Sequence, residues 1–291
     1  MPLGYLKDML KTAQAGHYGV AAFNMIDYNS ARAIVGGARE MGAPIIVQLS
    51  TKTIRLWGAK PIAQWVHGLA ADADIPVALH LDHCTDVEVI KRCIDAGWTS
   101  VMFDGSALPF AENVRQSRAV YDLTQAAGVG LEAELGAIGG VEDDKFVAED
   151  ASILANPEEC LAFCREMPDL AVFAPAIGTA HGFYAGEPKI SYDLLKYVTD
   201  NVAVPIALHG GTGLTETQFH RCIALGCAKV NISTLHKKNF IDGFINVARD
   251  HPKTSEPIAF IDGQFKAMKA DVTAMIAMFG SARQASAALA A

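Results

Sequence analysis

The sequence predicts a single α/β domain over residues 1–291, a TIM (β/α)8 barrel of eight parallel strands with an extra helical segment at its C-terminal end. Three observations support this fold class. Short β-branched or apolar runs alternate with longer amphipathic runs, which is typical of β/α units. These short runs number eight, and a length of 291 residues suits one closed barrel. Polar residues gather at the C-terminal ends of the runs, where a barrel carries its active site.

The predicted strands share an apolar core that follows a glycine or a short polar turn. They are Gly19 to Asn24, Pro44 to Leu49, Pro76 to Leu81, Ser100 to Phe103, Gly130 to Glu134, Ala171 to Pro175, Pro205 to Leu208 and Ala228 to Ile232. Three of them begin with proline, whose missing N–H lies outside the hydrogen-bond ladder at the first position of a strand. The prolines therefore mark strand starts.

Helices are predicted between the strands, for example over Ser30 to Met41 and Val87 to Ala96. Gly42 and Gly97 follow these two runs at the position where a helix end favours a residue that can adopt a positive φ. The last part of the chain, from about Phe260 to Ala290, is predicted to form one or two further helices.

One connection differs from the others. The segment from Ala137 to Asn156 is longer and more polar than an ordinary turn between a strand and a helix. Gly139 and Gly140 precede the acidic run that begins at Glu142. The segment is therefore predicted to be a hinged loop that covers a site.

Composition limits the classes of partner. The formal net charge is −8 and no basic run is longer than the pair Lys237-Lys238, so neither nucleic acid nor a membrane surface is expected as a partner. The N-terminus lacks a signal-peptide pattern and no stretch reaches the ~18 apolar residues of a membrane helix, which predicts a cytoplasmic protein. The six cysteines form no CxxC pair and are expected to be free thiols, with Cys84, beside His83, as the one that could serve as a ligand.

Residues able to do chemistry recur where the predicted strands end. They are Asn24, Ser50, Asp82 with His83, Asp104, Glu132 with Glu134, His209 and Asn231, together with His181 in the loop after the sixth strand. Because the C-terminal ends of all strands in a barrel meet at one face, these side chains are expected to lie close together.

Three of these residues could hold a metal ion. His83, His181 and His209 follow three different strands, and three neutral imidazoles with an open fourth position are typical of a catalytic zinc site. A single histidine in a loop is more often an ordinary polar residue. Three at matching strand ends, with carboxylates nearby, favour one Zn²⁺ per chain.

Two glycine-rich turns predict an anion site. Residues 209–213 (HGGTG) and 178–182 (GTAHG) follow the seventh and sixth strands, where exposed N–H groups and a hydroxyl can hold a phosphate. Residues 231–234 (NIST) end the eighth strand and add two hydroxyls and an amide. TIM barrels often bind phosphate after strands seven and eight.

With these motifs in place, the sequence resembles the class II (zinc-dependent) fructose-bisphosphate and tagatose-bisphosphate aldolase family over nearly its whole length. Seven blocks in the same order carry the resemblance: AFN (22–24), LHLDH (79–83), SVMFDGSALPF (100–110), LEAELGAIGGVEDD (131–144), AIGTAHGFYAGEPK (176–189), LHGGTG (208–213) and KVNIST (229–234). The resemblance implies a metal-dependent aldolase that reversibly cleaves a ketose (bis)phosphate to dihydroxyacetone phosphate and an aldehyde, through a zinc-stabilised enediolate.

The resemblance also implies roles for single residues. His83, His181 and His209 match the zinc ligands, and Glu134 matches a carboxylate of an alternative metal position. Asp82 matches the acid/base group that handles the hydroxyl proton at the cleaved bond.

Glu142 matches the group that removes the carbon-bound proton of the ketone phosphate. The residues alone leave two other interpretations open, since Asp82 could instead orient His80 and Glu142 could be a solvated charge in its acidic run. Asp104 and Glu132 are expected to orient the ligand imidazoles.

The remaining matches concern the substrate and assembly. The expected substrate and phosphate contacts are Asn24, Ser50, Gly182, Gly210, Gly211, Thr212, Asn231, Ser233 and Thr234. The resemblance further implies a small phosphorylated sugar as the partner, a homodimer or homotetramer, and a place for a monovalent cation, Na⁺ or K⁺, near the phosphate turns.

Departures from the family pattern leave the substrate open. Residues 251–254 (HPKT) lack the arginine-containing element that tends to hold the second phosphate in bisphosphate aldolases. The substrate is predicted to be a sugar bisphosphate, with Lys52 or Arg55 near its second anion, or a ketose 1-phosphate with an altered aldehyde half. Two other classes stay open: another metal-dependent barrel lyase, epimerase or hydrolase, and a non-catalytic metabolite-binding relative.

Overall fold

Eight parallel strands form a closed barrel in which the strands follow one another in chain order and the last pairs with the first. The computed structural model describes residues 3–142, 145–147, 153–184 and 186–289. The barrel strands are β1 (Val20–Asn24), β2 (Ile45–Ser50), β3 (Val77–Cys84), β4 (Ser100–Phe103), β5 (Gly130–Leu135), β8 (Val172–Pro175), β10 (Ile206–Leu208) and β11 (Cys227–Ile232). A second, small sheet holds β6 (Gly139–Glu142), β7 (Lys145–Val147) and β9 (Ala180–His181). The predicted TIM barrel is confirmed, and the assignment of residues 1–291 to one domain stays a prediction.

The observed strands lie close to their predicted positions. Every predicted start falls within one residue of the observed one. Pro44, Pro76 and Pro205 each stand directly before their strand rather than at its first position. The observed ends of β2 and β5 lie one residue beyond the predicted ends, and β3 continues to Cys84, three residues beyond its predicted end at Leu81. The extension matters because it contains two of the predicted site residues.

Helices fill the connections and cover the outside of the barrel. They are α1 (Leu6–Ala15), α2 (Tyr28–Met41), α3 (Thr51–Trp57), α4 (Ala59–Ala71), α5 (Val87–Asp95), α6 (Phe110–Ala127), α7 (Pro157–Glu166), α8 (Tyr192–Asn201), α9 (Glu216–Ala224), α10 (Thr234–Asp250), α11 (Pro257–Met278) and α12 (Ala285–Leu289). Helix α2 begins two residues before the prediction because the Asp27 side chain accepts the Ser30 N–H in a capping box. Gly42 and Gly97 follow α2 and α5 with φ of +60° and +87°, as predicted.

The predicted C-terminal helical segment is present as α11 and α12. Helices α10 and α11 pack so closely that a Cβ on Gly243 would lie 2.4 Å from Gln264 Cα. Helix α11 also contacts α2, where Asn29 Nδ2 donates to the Ile261 carbonyl at 2.9 Å. The segment therefore packs against the barrel's helical layer.

The connection predicted as a hinged loop, Ala137 to Asn156, is partly ordered as sheet. Gly139 and Gly140 pair with Ala180 and His181 through β6 and β9, and β6 and β7 form an antiparallel pair. Gly140 has φ +100°, and a Cβ there would lie 1.9 Å from the His181 carbonyl oxygen. Glycine thus permits a backbone approach that the polar composition of the segment did not reveal.

The interior of the barrel is apolar at its N-terminal end and polar nearer its C-terminal end. At the N-terminal end, α1 buries Leu6, Met9 and Leu10 against small residues of the strands. Farther up, the buried side chains are polar and charged, among them Glu132 and Lys229. Among the described residues, no helix is both long and apolar enough to cross a membrane.

Candidate active site

An irregularity in β3 brings two consecutive residues to the mouth of the barrel. The pairing of β3 with β4 shifts register between Leu81 and Cys84, and His83 has a left-handed φ of +45°. A regular strand points consecutive side chains to opposite faces. Here Asp82 contacts side chains of β1 and β11 while His83 contacts the other histidines, so both belong to one site.

Asp82 is fully buried and held by amides from three other strands. Asn24 Nδ2 donates to its Oδ2 at 2.9 Å, and Gln48 Nε2 donates to the same oxygen at 3.2 Å. Asn231 Nδ2 lies 3.5 Å from its Oδ1. Ser50 stands opposite Asp82 in the register of β2 and β3 and is also buried. These contacts fix the Asp82 carboxylate among the C-terminal ends of β1, β2 and β11.

The three predicted histidines lie together. His83 stands one residue before the end of β3, His181 lies in β9 and His209 directly follows β10. Their ring centroids are 4.7 to 5.9 Å apart, and each offers a ligand nitrogen within 4.8 Å of the others. This spacing and this choice of donors suit one divalent cation.

The hydrogen bond of His209 to Glu132 leaves one ring nitrogen available. His209 Nε2 lies 2.7 Å from Glu132 Oε1, so an ionised Glu132 accepts the ring proton and Nδ1 keeps its lone pair. Among the described residues, Nδ1 is buried without a hydrogen-bond partner. Burial lowers the pKa of His209 to about 4, so the ring is neutral at physiological pH. A neutral imidazole with a buried lone pair fits a metal ligand.

Carboxylates surround the histidines from the neighbouring strands. Asp104 Oδ2 lies 3.2 Å from His83 Nδ1, and its other oxygen accepts from the Ser106 hydroxyl at 2.6 Å. Glu134 Oε2 lies 3.8 Å from His83 Nδ1 and 3.3 Å from His209 Nδ1. His83, Asp104 and Glu134 thus form a second group that could hold an ion. Glu134, predicted for an alternative metal position, belongs to this second group, and its role there stays a prediction.

A buried charge cluster lies beneath the histidines, inside the barrel. Lys229 Nζ is 2.8 Å from Glu132 Oε2, and His80 Nε2 is 3.2 Å from the same oxygen. All three side chains are inaccessible to solvent. Burial alone raises the pKa of Glu132, but Lys229, His209 and His80 together hold that pKa well below its usual range. Glu132 is therefore a carboxylate.

The predicted phosphate contacts line one pocket with an empty volume of about 220 Å³. Its walls are His181, Gly182, Gly210, Gly211, Thr212, Asn231, Ser233 and Thr234. Among the described residues, Ser233 Oγ is buried without a hydrogen-bond partner, and the N-terminus of α10 begins beside it at Thr234. An unpaired hydroxyl and a helix N-terminus both favour a bound anion.

The close approach of two backbones explains the glycines of this pocket. A Cβ on Gly210 would lie 2.4 Å from the Ala180 carbonyl oxygen, and one on Gly211 would lie 2.7 Å from the Asn231 carbonyl oxygen. The turn after β10 can approach β9 and β11 this closely only because these two residues have no side chain.

The comparisons with known proteins agree with this geometry. The family model described as "Fructose-bisphosphate aldolase class-II" matches residues 5–284. The chain belongs to the class II fructose-bisphosphate aldolase family. It is thus a carbon–carbon lyase.

Two curated relatives and one solved structure illustrate the family. The chain is 38% identical to a fructose-bisphosphate aldolase of Geobacillus stearothermophilus over 288 residues, which cover 98% of this chain and 99% of that protein. It is 35% identical to a sulfofructosephosphate aldolase of Alkalicoccus urumqiensis, over 96% of this chain and 97% of that one. The crystal structure of the YdjI aldolase from Escherichia coli superposes with a TM-score of 0.86 at 27% identity, over 97% of this chain and 99% of that chain.

Two further expectations for this class II aldolase concern Glu142 and Cys84. The backbone of Glu142 ends β6, but its side chain lies outside the part that the structure describes. Cys84 is buried and its Sγ donates to the Asp86 carbonyl at 3.3 Å, and it belongs to neither metal-holding group found among the described residues. All six cysteines are free, as predicted.

Several site residues were not predicted from the sequence. Gln48 and Lys229 do carry a signal in the sequence, because each is a polar residue among the apolar residues of a buried strand. Tyr184 joins the two glycine-rich turns: its hydroxyl donates to the Gly210 carbonyl at 2.7 Å and accepts the Ala180 N–H at 2.9 Å. Its role depends on a fold that brings distant turns together, which a local pattern does not show.

Proposed function

We propose that the chain catalyses reversible aldol cleavage of a ketose phosphate to dihydroxyacetone phosphate and an aldehyde, with Zn²⁺ as its metal. The observation that carries the proposal is the set of three histidine nitrogens within 4.8 Å of one another. It lies beside a buried aspartate and near an anion pocket. An aldolase of this class needs these three parts together, whereas an epimerase or hydrolase needs the ion without all of the phosphate contacts.

His83, His181 and His209 would hold the ion, and Glu134 would serve an alternative position. When bound there, a divalent cation supplies a Lewis acid that polarises the substrate carbonyl and stabilises the negative charge that develops next to it.

Asp82 would act as the general base for cleavage. It removes the proton from the hydroxyl next to the bond that breaks, and the electron pair of that bond passes to the ketone phosphate fragment. The amides of Asn24, Gln48 and Asn231 restrain the carboxylate, so it meets the substrate in a fixed orientation. Asn24 and Asn231 would also contact the ketone.

Glu142 would return a proton to the carbon of the ketone fragment. Its backbone ends β6, which pairs with the strand of His181, so the segment that carries it starts next to the metal group. In the synthetic direction the same carboxylate removes that proton.

The phosphate of the ketone half would bind in the pocket between the two glycine-rich turns. Its contacts would be the backbone N–H groups of Gly182, Gly210 and Gly211 and the side chains of Thr212, Ser233 and Thr234. This local site explains how a chain of net charge −8 can bind an anion. A Na⁺ or K⁺ ion near the phosphate, a homodimer or homotetramer, and a cytoplasmic location stay predictions.

A second candidate concerns the aldehyde half only. The similar identities to a fructose-bisphosphate aldolase and to a sulfofructosephosphate aldolase, 38% and 35%, leave the group at the far end of the substrate open. Lys52 and Arg55 lie on α3, which begins directly after Ser50, and they are the cations we propose for an anionic far end.

One experiment tests both points. The purified chain is analysed for metal content and incubated with fructose 1,6-bisphosphate, tagatose 1,6-bisphosphate, sulfofructose phosphate and fructose 1-phosphate, with and without a chelator. Release of dihydroxyacetone phosphate from any of them, lost on chelation and restored by Zn²⁺, is the expected result. Bound metal without release from any ketose phosphate contradicts the proposed reaction, and the substrate ranking identifies the far-end group.

A further inference from the structure

The buried cluster of Lys229, Glu132 and His80 has no part in the reaction steps above. It lies on three different strands, β11, β5 and β3, below the mouth of the barrel. A lysine and a glutamate with no solvent exposure are rare in protein interiors, and a buried ion pair is weak evidence of stabilisation, so this pair calls for another explanation. The group that this pair touches on its upper side is His209.

The two oxygens of Glu132 have different partners. Oε2 faces the Lys229 ammonium at 2.8 Å, and Oε1 faces His209 Nε2 at 2.7 Å. An ammonium group has donors and no acceptor. Lys229 therefore occupies one oxygen as an ion-pair partner and leaves the other to accept the proton of His209.

The orientation of His209 follows from this arrangement. With its Nε2–H directed at Glu132, the ring presents Nδ1 to His83 and His181. Glu134 Oε2 lies 3.3 Å from this Nδ1, but the atom is buried without a hydrogen bond among the described residues. Rotation of the ring, or transfer of its proton to Nδ1, would remove the third nitrogen from the group. The position of the Glu132 carboxylate therefore decides whether three nitrogens converge.

We propose that Lys229 is a positioning residue of the metal centre, which acts through Glu132 to hold His209 with Nδ1 directed at the ion. The proposal rests on the proposed function only in that it requires the three histidines to bind a metal. Lys229 touches neither the ion nor the substrate, and its effect on the reaction is indirect.

The test measures the dissociation constant of Zn²⁺ by competition with a chromophoric chelator, on the full-length apoprotein. The variants are Lys229→Met, Glu132→Gln and the double variant, with Lys60→Met, an exposed lysine of α4, as the matched control. We expect each single variant to weaken binding about 10- to 100-fold, the range found for partners of metal-bound histidines. The control should bind as the wild type does.

The double variant separates positioning from general damage. If Lys229 acts through Glu132, the double variant loses no more affinity than Glu132→Gln alone, because the second change removes a group whose partner is already gone. Loss equal to the product of the two single losses, or Zn²⁺ affinity of Lys229→Met within twofold of the wild type, would overturn the proposal. The visible spectrum of the Co²⁺-loaded variants gives a second readout, since altered ligand geometry changes its bands.

A measurement on the unmodified chain covers the case in which Lys229→Met fails to fold. Nitrogen NMR of histidine-labelled apoprotein reports which ring nitrogen of His209 carries the proton, with assignment by loss of the signal in His209→Gln. A proton on Nε2 is expected, and a proton on Nδ1 overturns the proposal. If the unmodified chain binds no metal at all, that result contradicts the proposed metal-dependent function. A proton on Nδ1 in a chain that does bind Zn²⁺ contradicts only the positioning role of Lys229.

Discussion

Asp82 shows how a single side chain gains its chemistry from its neighbours. It is buried, yet its two oxygens face amides of Asn24, Gln48 and Asn231 rather than a permanent positive charge. Amide donors restrain a carboxylate without neutralising it as a lysine or arginine would. The surrounding amides therefore fix the orientation of this carboxylate.

The first prediction concerns this carboxylate. Asp82→Asn should lower kcat for cleavage about 10²- to 10⁴-fold, the usual range for loss of a general base, because the amide cannot accept the hydroxyl proton. Metal content should stay at the wild-type level, since Asp82 is not in the histidine group. Steady-state kinetics and metal analysis check this, with Asp95→Asn at the exposed end of α5 as the control. A kcat within threefold of the wild type would contradict the role.

The second prediction concerns the anion pocket. Ser233→Ala removes a hydroxyl that is buried without a partner among the described residues and faces a pocket lined by N–H groups. A hydrogen bond to a charged group contributes about 1.5–3 kcal/mol, so KM should rise about 10- to 100-fold while the protein keeps its stability. Inhibition by inorganic phosphate should weaken in parallel. An unchanged KM together with unchanged phosphate inhibition would place the phosphate elsewhere.

At the residue scale, the sequence predicts which side chains lie together where a residue follows a strand, since barrel geometry gathers such positions. Asp82, His83 and His209 follow from this rule, whereas His181 was expected in a loop, and the roles of all four stay predictions. Lys229 was not predicted, because a lysine is ordinarily exposed. Its burial depends on Glu132 of β5, a strand that is not adjacent to β11 in the barrel.

At the scale of elements, the pairing of β6 with β9 joins the loop that carries Glu142 to the strand that carries His181. This contact was not predicted: the polar and glycine-rich composition of residues 137–156 indicated a hinge, whereas backbone hydrogen bonds between segments 40 residues apart depend on the folded barrel. The bulge in β3 was missed for the same reason. Strand propensity places β3 correctly but gives no signal for a register shift.

The third prediction tests that pairing. Gly140→Ala would place a Cβ 1.9 Å from the His181 carbonyl oxygen, at a φ of +100°. The strands must separate, which should move His181 and lower both Zn²⁺ affinity and kcat at least about tenfold. Chelator competition and steady-state kinetics measure the two effects.

A matched glycine provides the control for this variant. Gly128 also has a positive φ, +68°, but a Cβ there meets no atom within 4 Å. Gly128→Ala should therefore lower stability by about 1 kcal/mol and leave metal binding unchanged. If both variants bind Zn²⁺ like the wild type, β6 does not position His181.

At the scale of the whole molecule, the metal group connects three strands that are distant in the sequence. An ion bound by β3, β9 and the residue after β10 would stabilise the folded barrel, because the unfolded chain does not hold these histidines together. At a free Zn²⁺ concentration 100 times Kd the gain is about 2.7 kcal/mol.

The fourth prediction follows from this linkage. Chelation should lower the thermal midpoint by about 5–10 °C, at roughly 2–4 °C per kcal/mol for a chain of this size, and Zn²⁺ should restore it. Calorimetry with and without chelator measures the shift. His209→Gln should show a much smaller shift, whereas an equal shift in that variant would mean that the ion binds elsewhere.

The fifth prediction concerns the thiols. Burial raises the pKa of Cys84 to about 11 and those of Cys93, Cys160 and Cys164 to about 12. The reactive thiolate is therefore scarce at pH 8, and the native chain should react slowly with a disulfide reagent. All six cysteines should react once the chain is unfolded. Rapid labelling of Cys84 in the native chain would contradict its buried position.

The pairing of β1 with β11 also has a consequence during synthesis. Val20 meets Lys229, so the ring cannot close until almost the whole chain has left the ribosome. At 5–20 residues per second, roughly 200 residues take about 10–40 s to translate. For that time β1 has an open edge, and an unpaired edge strand is a template for aggregation. The nascent chain is therefore expected to depend on chaperones more than the finished barrel does.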